Sequence, residues 1–151
     1  MRIVIEGIMV TSYGHTSFTV SDIETTIAFY VEQLGLTLTR RWERTGPEIE
    51  ALTGVDGARL AMALVECEGL QLELIQYVGG AGVILDPTIN NVGAAHIAFE
   101  VSNVDTFCER LVRNGVKLYG TPATLPTPSV RGVYISDPDG ITIELSEPHV
   151  G

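Results

Sequence analysis

A chain that repeats itself in order has to fold as two copies of one supersecondary unit, and this chain repeats itself. The segment His15-Thr-Ser-Phe-Thr-Val-Ser-Asp-Ile-Glu-Thr lies over His96-Ile-Ala-Phe-Glu-Val-Ser-Asn-Val-Asp-Thr without a gap, sharing His, Phe, Val, Ser and Thr. Farther on, Gly69-Leu-Gln-Leu-Glu73-Leu matches Gly140-Ile-Thr-Ile-Glu144-Leu. His96 follows His15 by 81 residues, whereas Glu144 follows Glu73 by 71, so the first copy carries about ten extra residues between its landmarks.

Within each copy the hydrophobic period changes from two to about 3.6. Thr16, Phe18 and Val20 alternate with His15, Ser17 and Thr19, the pattern of a half-buried strand. Ser21 or Asp22 then caps a helix whose apolar stripe is Ile23, Ile27, Tyr30, Val31 and Leu34, stopped by Gly35. In the second copy Ser102 or Asn103 caps a helix bearing Val104, Phe107, Leu111 and Val112, which ends at Asn114-Gly115. Three strands are expected after each helix: Leu36 to Trp42, Arg59 to Glu66 and Leu70 to Tyr77, then Val116 to Gly120, Gly132 to Ser136 and Ile141 to Ser146. Asp137-Pro-Asp-Gly140 is the turn between the last two, with Glu68-Gly69 in that place in the first copy.

The unit is therefore βαβββ, twice. The expected fold is α+β: two tandem βαβββ modules in a single domain over residues 1–151. Residues 1–13 read as an N-terminal strand, 14–78 as the first module, 79–93 as a Gly- and Asn-rich linker, and 94–148 as the second module.

At 151 residues and 45% hydrophobic content the chain can bury a sizeable core but hardly more than one domain. Its net charge of -10 repels a phosphate backbone over most of the surface, so nucleic acid is not an expected partner. Cys67 and Cys108 both sit in apolar stretches, which suggests buried, reduced thiols rather than a disulfide. The opening MRIVIEGIMVTSY is interrupted by Glu6 and lacks a signal peptide's apolar segment, and no window approaches a membrane span. A cytoplasmic protein with no membrane partner is the resulting expectation.

Candidate chemistry follows from the strand faces. Glu73 lies between Leu72 and Leu74, and Glu144 between Ile143 and Leu145, so each carboxylate projects from the face opposite a row of aliphatics. Both histidines begin strands on which their same-face neighbours, Ser17 and Ala98, are small. A lone strand histidine is more often a hydrogen-bonded core residue, and a lone strand glutamate a paired structural carboxylate. Four such groups at equivalent positions of two copies change that weighing. His15, Glu73, His96 and Glu144 form a first shell for one divalent metal per site, Zn, Ni, Co, Fe or Mn, if the two modules pack side by side.

These residues resemble the vicinal oxygen chelate superfamily, the glyoxalase, bleomycin-resistance and extradiol-dioxygenase fold, over roughly residues 13 to 148. The resemblance is carried by GHTSFTVSDIETTIAFYVEQLGL, LQLELIQY, AAHIAFEVSNVD and VYISDPDGITIELSEP. It implies paired βαβββ modules forming a curved mixed sheet around a metal site, the metal held by His15, Glu73, His96 and Glu144. A ligand set with a carboxylate at Glu73 is similar to that of glyoxalase I and methylmalonyl-CoA epimerase, which move a proton next to a metal-chelated carbonyl. On that basis the expected activity is a metal-dependent lyase or isomerase, with Glu144 as general base and Glu73 as its alternative or partner. An extradiol-type dioxygenase and a drug-sequestering protein are the other readings the resemblance admits.

Substrate contacts are expected from Arg59, Tyr77, Arg131 and Tyr134, on or beside the strands, with Arg40-Arg41-Trp42 similar in kind. Leu125 to Gly132 reads as a mobile loop bordering the site. No phosphate-cradling glycine motif or strong basic patch is present for a coenzyme A tail. The small-molecule enzyme is expected to be a homodimer, since the resemblance implies modules paired between chains and the N-terminal apolar strand offers surface to bury. His149 reads as exposed tail.

Overall fold

A computed structural model describes residues 10–127 and 129–148. The first module runs β1 (Thr16–Thr19), α1 (Ile23–Ala28), a π-helical turn (Phe29–Gln33), β2 (Thr37–Thr45), α2 (Pro47–Thr53), β3 (Arg59–Cys67) and β4 (Leu70–Gly79). The second runs β5 (His96–Glu100), α3 (Val104–Arg113), β6 (Ala123–Pro126), β7 (Ser129–Ser136) and β8 (Thr142–Pro148). Each module builds its own four-stranded, open, curved sheet, in the orders β1-β4-β3-β2 and β5-β8-β7-β6. In both, the first strand runs parallel to the last and the remaining pairs are antiparallel, so the duplication read in the sequence is a duplication of topology.

Local chemistry explains the element ends. Asp22 and Asn103 accept hydrogen bonds from the backbone N–H groups of Thr25 and Thr106, three residues on, at 2.7 and 2.8 Å, capping α1 and α3. The β7–β8 turn closes on the Asp137 carboxylate, whose Oδ1 accepts from the backbone of Asp139 at 2.9 Å and of Ile141 at 2.8 Å. Gly140 sits there at φ +86°, and a Cβ would come within 2.9 Å of Pro87 Cγ, so the linker packs directly on a turn that only glycine fits.

The two sheets do not have separate interiors. Val65, Leu72 and Leu74 of the first module and Val133, Ile135, Ile143 and Leu145 of the second belong to one buried cluster with Ile27, Tyr30, Val104 and Leu111 of the helices. The helix-facing side of each sheet is thus shared, and the opposite faces, which carry Glu73 and Glu144, point away from it. Side-chain bonds lock the seam. Tyr30 Oη donates to Asp137 Oδ2 at 3.3 Å, the Ser21 backbone N–H donates to Asp139 at 3.0 Å, and Gln33 receives Arg110 at 2.6 Å and Asn114 at 2.8 Å. Tyr30 and Gln33 both come from the π-helical turn, whose extra residue per turn separates this face from that of α1.

Asp137 is 4% exposed, and burial pushes its carboxyl up to about 6 against the pull of the two backbone N–H groups. A folded-state value raised above the ordinary one means the stabilising contribution is complete at low pH and lost as pH rises through about 6. The carboxylates held below their usual range, Asp22, Glu24, Asp86 and Asp105, act only in more acidic solution. Urea denaturation should therefore show stability falling from pH 5 to pH 7.5 by on the order of 1–3 kcal/mol. Asp137→Asn, which keeps an acceptor for the turn, should flatten that dependence; an unchanged slope would acquit Asp137.

Several expectations are corrected. Val116 to Gly120 is not a strand: Leu118 makes one bridge to Ile135, after which Gly120-Thr-Pro122 leads the chain away. The outer strand is β6, and the segment Leu125 to Gly132 expected to be a loop is instead the end of β6 and the start of β7, because Pro126 is tolerated on an edge strand where its missing N–H costs no ladder bond. The roughly ten extra residues of the first copy fall on α2, whose signals were Pro47 at its first turn and Gly54 at φ +68° at its end. Cys108 is buried but Cys67, at the end of β3, is exposed. Residues 1–9 of the expected N-terminal strand and His149 lie outside the described residues, and Val10 to Tyr13 carry no strand.

Candidate metal centre

His15 precedes β1 and Glu73 lies on the neighbouring β4, where parallel pairing sets Ser17 beside Glu73. His15 Nε2 is 3.5 Å from Glu73 Oε1. The second module repeats this: Ala98 pairs with Glu144, and His96 Nε2 stands 3.2 Å from Glu144 Oε2. Both histidines are about half exposed while the carboxylates are more enclosed, at 14% for Glu73 and 28% for Glu144.

Two donors on adjacent positions of one ion, each at about 2.0–2.2 Å, stand about 3 Å apart. Each His–Glu pair therefore fits half of a coordination shell, with the borderline nitrogen and hard oxygen donors that suit a first-row divalent ion. Within a single chain the halves stay apart: among the described residues no three His, Cys, Asp or Glu side chains form a common cluster. The two sheets turn their shared faces to the core, so their ligand pairs do not face each other across it. Both pairs lie at open margins, β1 and β5 each being the outermost strand of its sheet. Two recesses lie elsewhere, one of about 520 Å³ along α3 at Cys108 and Val112, another of about 480 Å³ at the seam beside Gln33 and Asn114.

The residues expected to meet substrate divide sharply. Tyr134 stands opposite Glu144 across the β7–β8 ladder, its ring edge-on to His96 at 5.2 Å between centroids. Burial, and then the charge and hydrogen bonding of Glu144, raise its phenol above the ordinary range. Tyr77 is on the Glu73 face of β4 but packs into an apolar cluster with Ile49, Leu60 and Met62 beneath α2. Arg131 points to the other side, forming a two-pronged pair with Asp105 of α3 at 2.7 Å on each prong. Arg59 donates to the Val78 carbonyl, Arg41 pairs with Glu24, and Arg40 lies over the Trp42 ring at 4.8 Å. Asp137, Tyr30 and Gln33, which fix the relation of the modules, went unnoticed in the sequence because a DPDG turn and a helix stripe give no hint of meeting.

A duplicated βαβββ architecture with an equivalent His–Glu pair on each sheet defines a class of proteins built from paired modules. The family described as the Glyoxalase/Bleomycin resistance protein/Dioxygenase superfamily matches residues 12–145, and the chain belongs to it. A lactoylglutathione lyase of Salmonella typhimurium is 31% identical over 137 residues, covering 88% of this chain and 90% of that protein. Among solved structures, a glyoxalase family protein from Bacillus cereus superposes with a TM-score of 0.83 at 25% identity, covering 95% of this chain and 98% of the other. A genomically encoded fosfomycin resistance protein of Listeria monocytogenes shares the fold, with a TM-score of 0.63 at 18% identity, covering 94% of this chain and 97% of its own. Among the described residues no helix is long and apolar enough to cross a membrane.

Proposed function

We propose that the protein is a divalent-metal-dependent lyase or isomerase of the glyoxalase type, acting as a homodimer in which His15 and Glu73 of one chain and His96 and Glu144 of a second complete one site. The observation that supports this reading is the pair of His–Glu couples, 3.5 and 3.2 Å apart, at equivalent margins of two sheets, with no cluster of three such side chains among the described residues of one chain. Exposed apolar residues flank both histidine strands, Val10 and Tyr13 before β1 and Val83, Ile84, Leu85 and Val92 before β5, in keeping with a surface that a second copy covers.

The relative's name supplies the substrate class: a thioester of a 2-hydroxy acid, in equilibrium with a 2-oxoaldehyde and a thiol. Interconversion moves one proton between two neighbouring carbons and a second between the oxygens they carry, after which the thiol leaves from the hemithioacetal. A bound divalent ion supplies a Lewis acid for the negative charge that develops on the substrate oxygens. Glu144 takes the proton from one carbon and returns it to the next, and Glu73 stands as its partner from the other module. Small neighbours, Ser17 and Ala98, leave the ligand face free for the two reacting oxygens.

Elemental analysis of the purified protein, without added metal or chelator, should find about one transition-metal ion per chain, since a symmetric dimer has two sites. A His96→Ala, Glu144→Ala variant should lose the metal together with thioester formation from a 2-oxoaldehyde and glutathione, a fall of about a thousandfold or more. Metal-free wild-type protein, even after reconstitution, would remove the mechanism and favour a protein that only sequesters its ligand.

A further inference from the structure

The two half-sites are copies, yet they are not equally supported. Antiparallel pairing puts Leu64 opposite Glu73 in the first sheet and Tyr134 opposite Glu144 in the second. Residues directly opposite in such a ladder project to the same side, so Leu64 and Tyr134 stand beside the two carboxylates on the antiparallel side, as Ser17 and Ala98 do on the parallel side. For Glu73 the antiparallel neighbour is an aliphatic chain with nothing to donate. For Glu144 it is a phenol, on a ring whose edge rests against His96 at 5.2 Å. Gly132, two residues earlier on the same face, presents no side chain to crowd that ring.

We propose that Tyr134 is a positioning residue that holds Glu144 and His96 in register with each other. The proposal rests on the metal-site reading above. A carboxylate serving as both ligand and base has several rotamers open to it, and two neighbours on different strands, His96 from β5 and Tyr134 from β7, restrict it from both sides.

The test is a titration of the metal-free protein with Co²⁺, followed by its visible absorption and by competition with a chelator, on wild type, Tyr134→Phe and Tyr119→Phe. Tyr119 is a control: its hydroxyl donates to the Gly140 carbonyl at 3.0 Å, so its removal also costs the second module a tyrosyl hydrogen bond. Tyr134→Phe should keep the stoichiometry but bind Co²⁺ about 10–100-fold more weakly, with an altered absorption band. Its kcat should fall with KM nearly unchanged, because Glu144 is misaligned while substrate binding is intact. Tyr119→Phe should bind within about twofold of wild type. Co²⁺ binding and absorption by Tyr134→Phe equal to wild type, or an equal loss in Tyr119→Phe, would overturn the positioning role and leave the metal site standing. Absence of Co²⁺ uptake by wild type would instead remove the metal reading, and the positioning role with it.

Discussion

Two inactive variants, one carrying His15→Ala with Glu73→Ala and the other His96→Ala with Glu144→Ala, should recover about a quarter of wild-type activity when mixed in equal amounts and allowed to exchange subunits. The reasoning is geometric. In the proposed dimer each site takes one His–Glu pair from each chain, so a mixed dimer holds one site with all four ligands and one with none. Random exchange makes about half of the dimers mixed, and half of their sites are intact. The effect is large because the background is nearly zero: either variant by itself leaves every site with a half shell. Sites built within single chains would give no recovery at any mixing ratio, and that result would sink the shared centre. Light scattering on the wild type is the companion measurement, since a monomer could not form the site as proposed.

Leu145→Ala should lower the unfolding free energy by about 2–5 kcal/mol, the range for deleting a fully buried leucine side chain beyond Cβ. Leu145 has no exposed surface and lies between Phe99 on β5 and Val133 on β7. Its wider consequence is cooperativity, because its cluster also contains Ile27, Leu72 and Leu74 of the other module. Trp42 on β2 is the chain's one tryptophan, so its fluorescence reports the first module while the lesion is in the second. Urea denaturation followed by that fluorescence and by far-ultraviolet circular dichroism should give one coincident transition, displaced equally in both signals. An unmoved fluorescence transition, with circular dichroism splitting in two, would mean that the modules fold independently despite their common interior.

The architecture was legible because it rests on periodicity and repetition. The His15–Val20 and His96–Val101 alternations, the Asp22 and Asn103 caps and the Asp137–Gly140 turn are local signals, and each element they announce is present. The turn also fixes register, so that Tyr134 opposite Glu144 could be read by counting outward from it. Where the reading failed, composition competed with pairing. The prolines around Leu125 describe a loop unless a neighbouring strand accepts them on its free side, and Val116 to Leu118 look like a strand until Gly120-Thr-Pro122 carries the chain off the edge. The closeness of each His–Glu pair comes from parallel pairing of the first and last strand of each module, which the repeat does not state. How the modules face one another did not, because it depends on Tyr30, Gln33, Arg110 and Asn114 meeting over separations that no local pattern encodes. Arg131 shows the same limit for charge: its place in β7 determines only its face, and Asp105 on α3 determines its use.

The back-to-back arrangement of the sheets keeps chemistry and architecture on opposite sides of the same strands. Leu72, Leu74, Ile143 and Leu145 hold the molecule together, while Glu73 and Glu144, one residue away along the same backbone, take no part in that interior. In the proposed site, replacing one of these carboxylates would change the chemistry of the outward face while leaving the scaffold's buried contacts untouched, so that reactive residues can be exchanged under one unchanged interior.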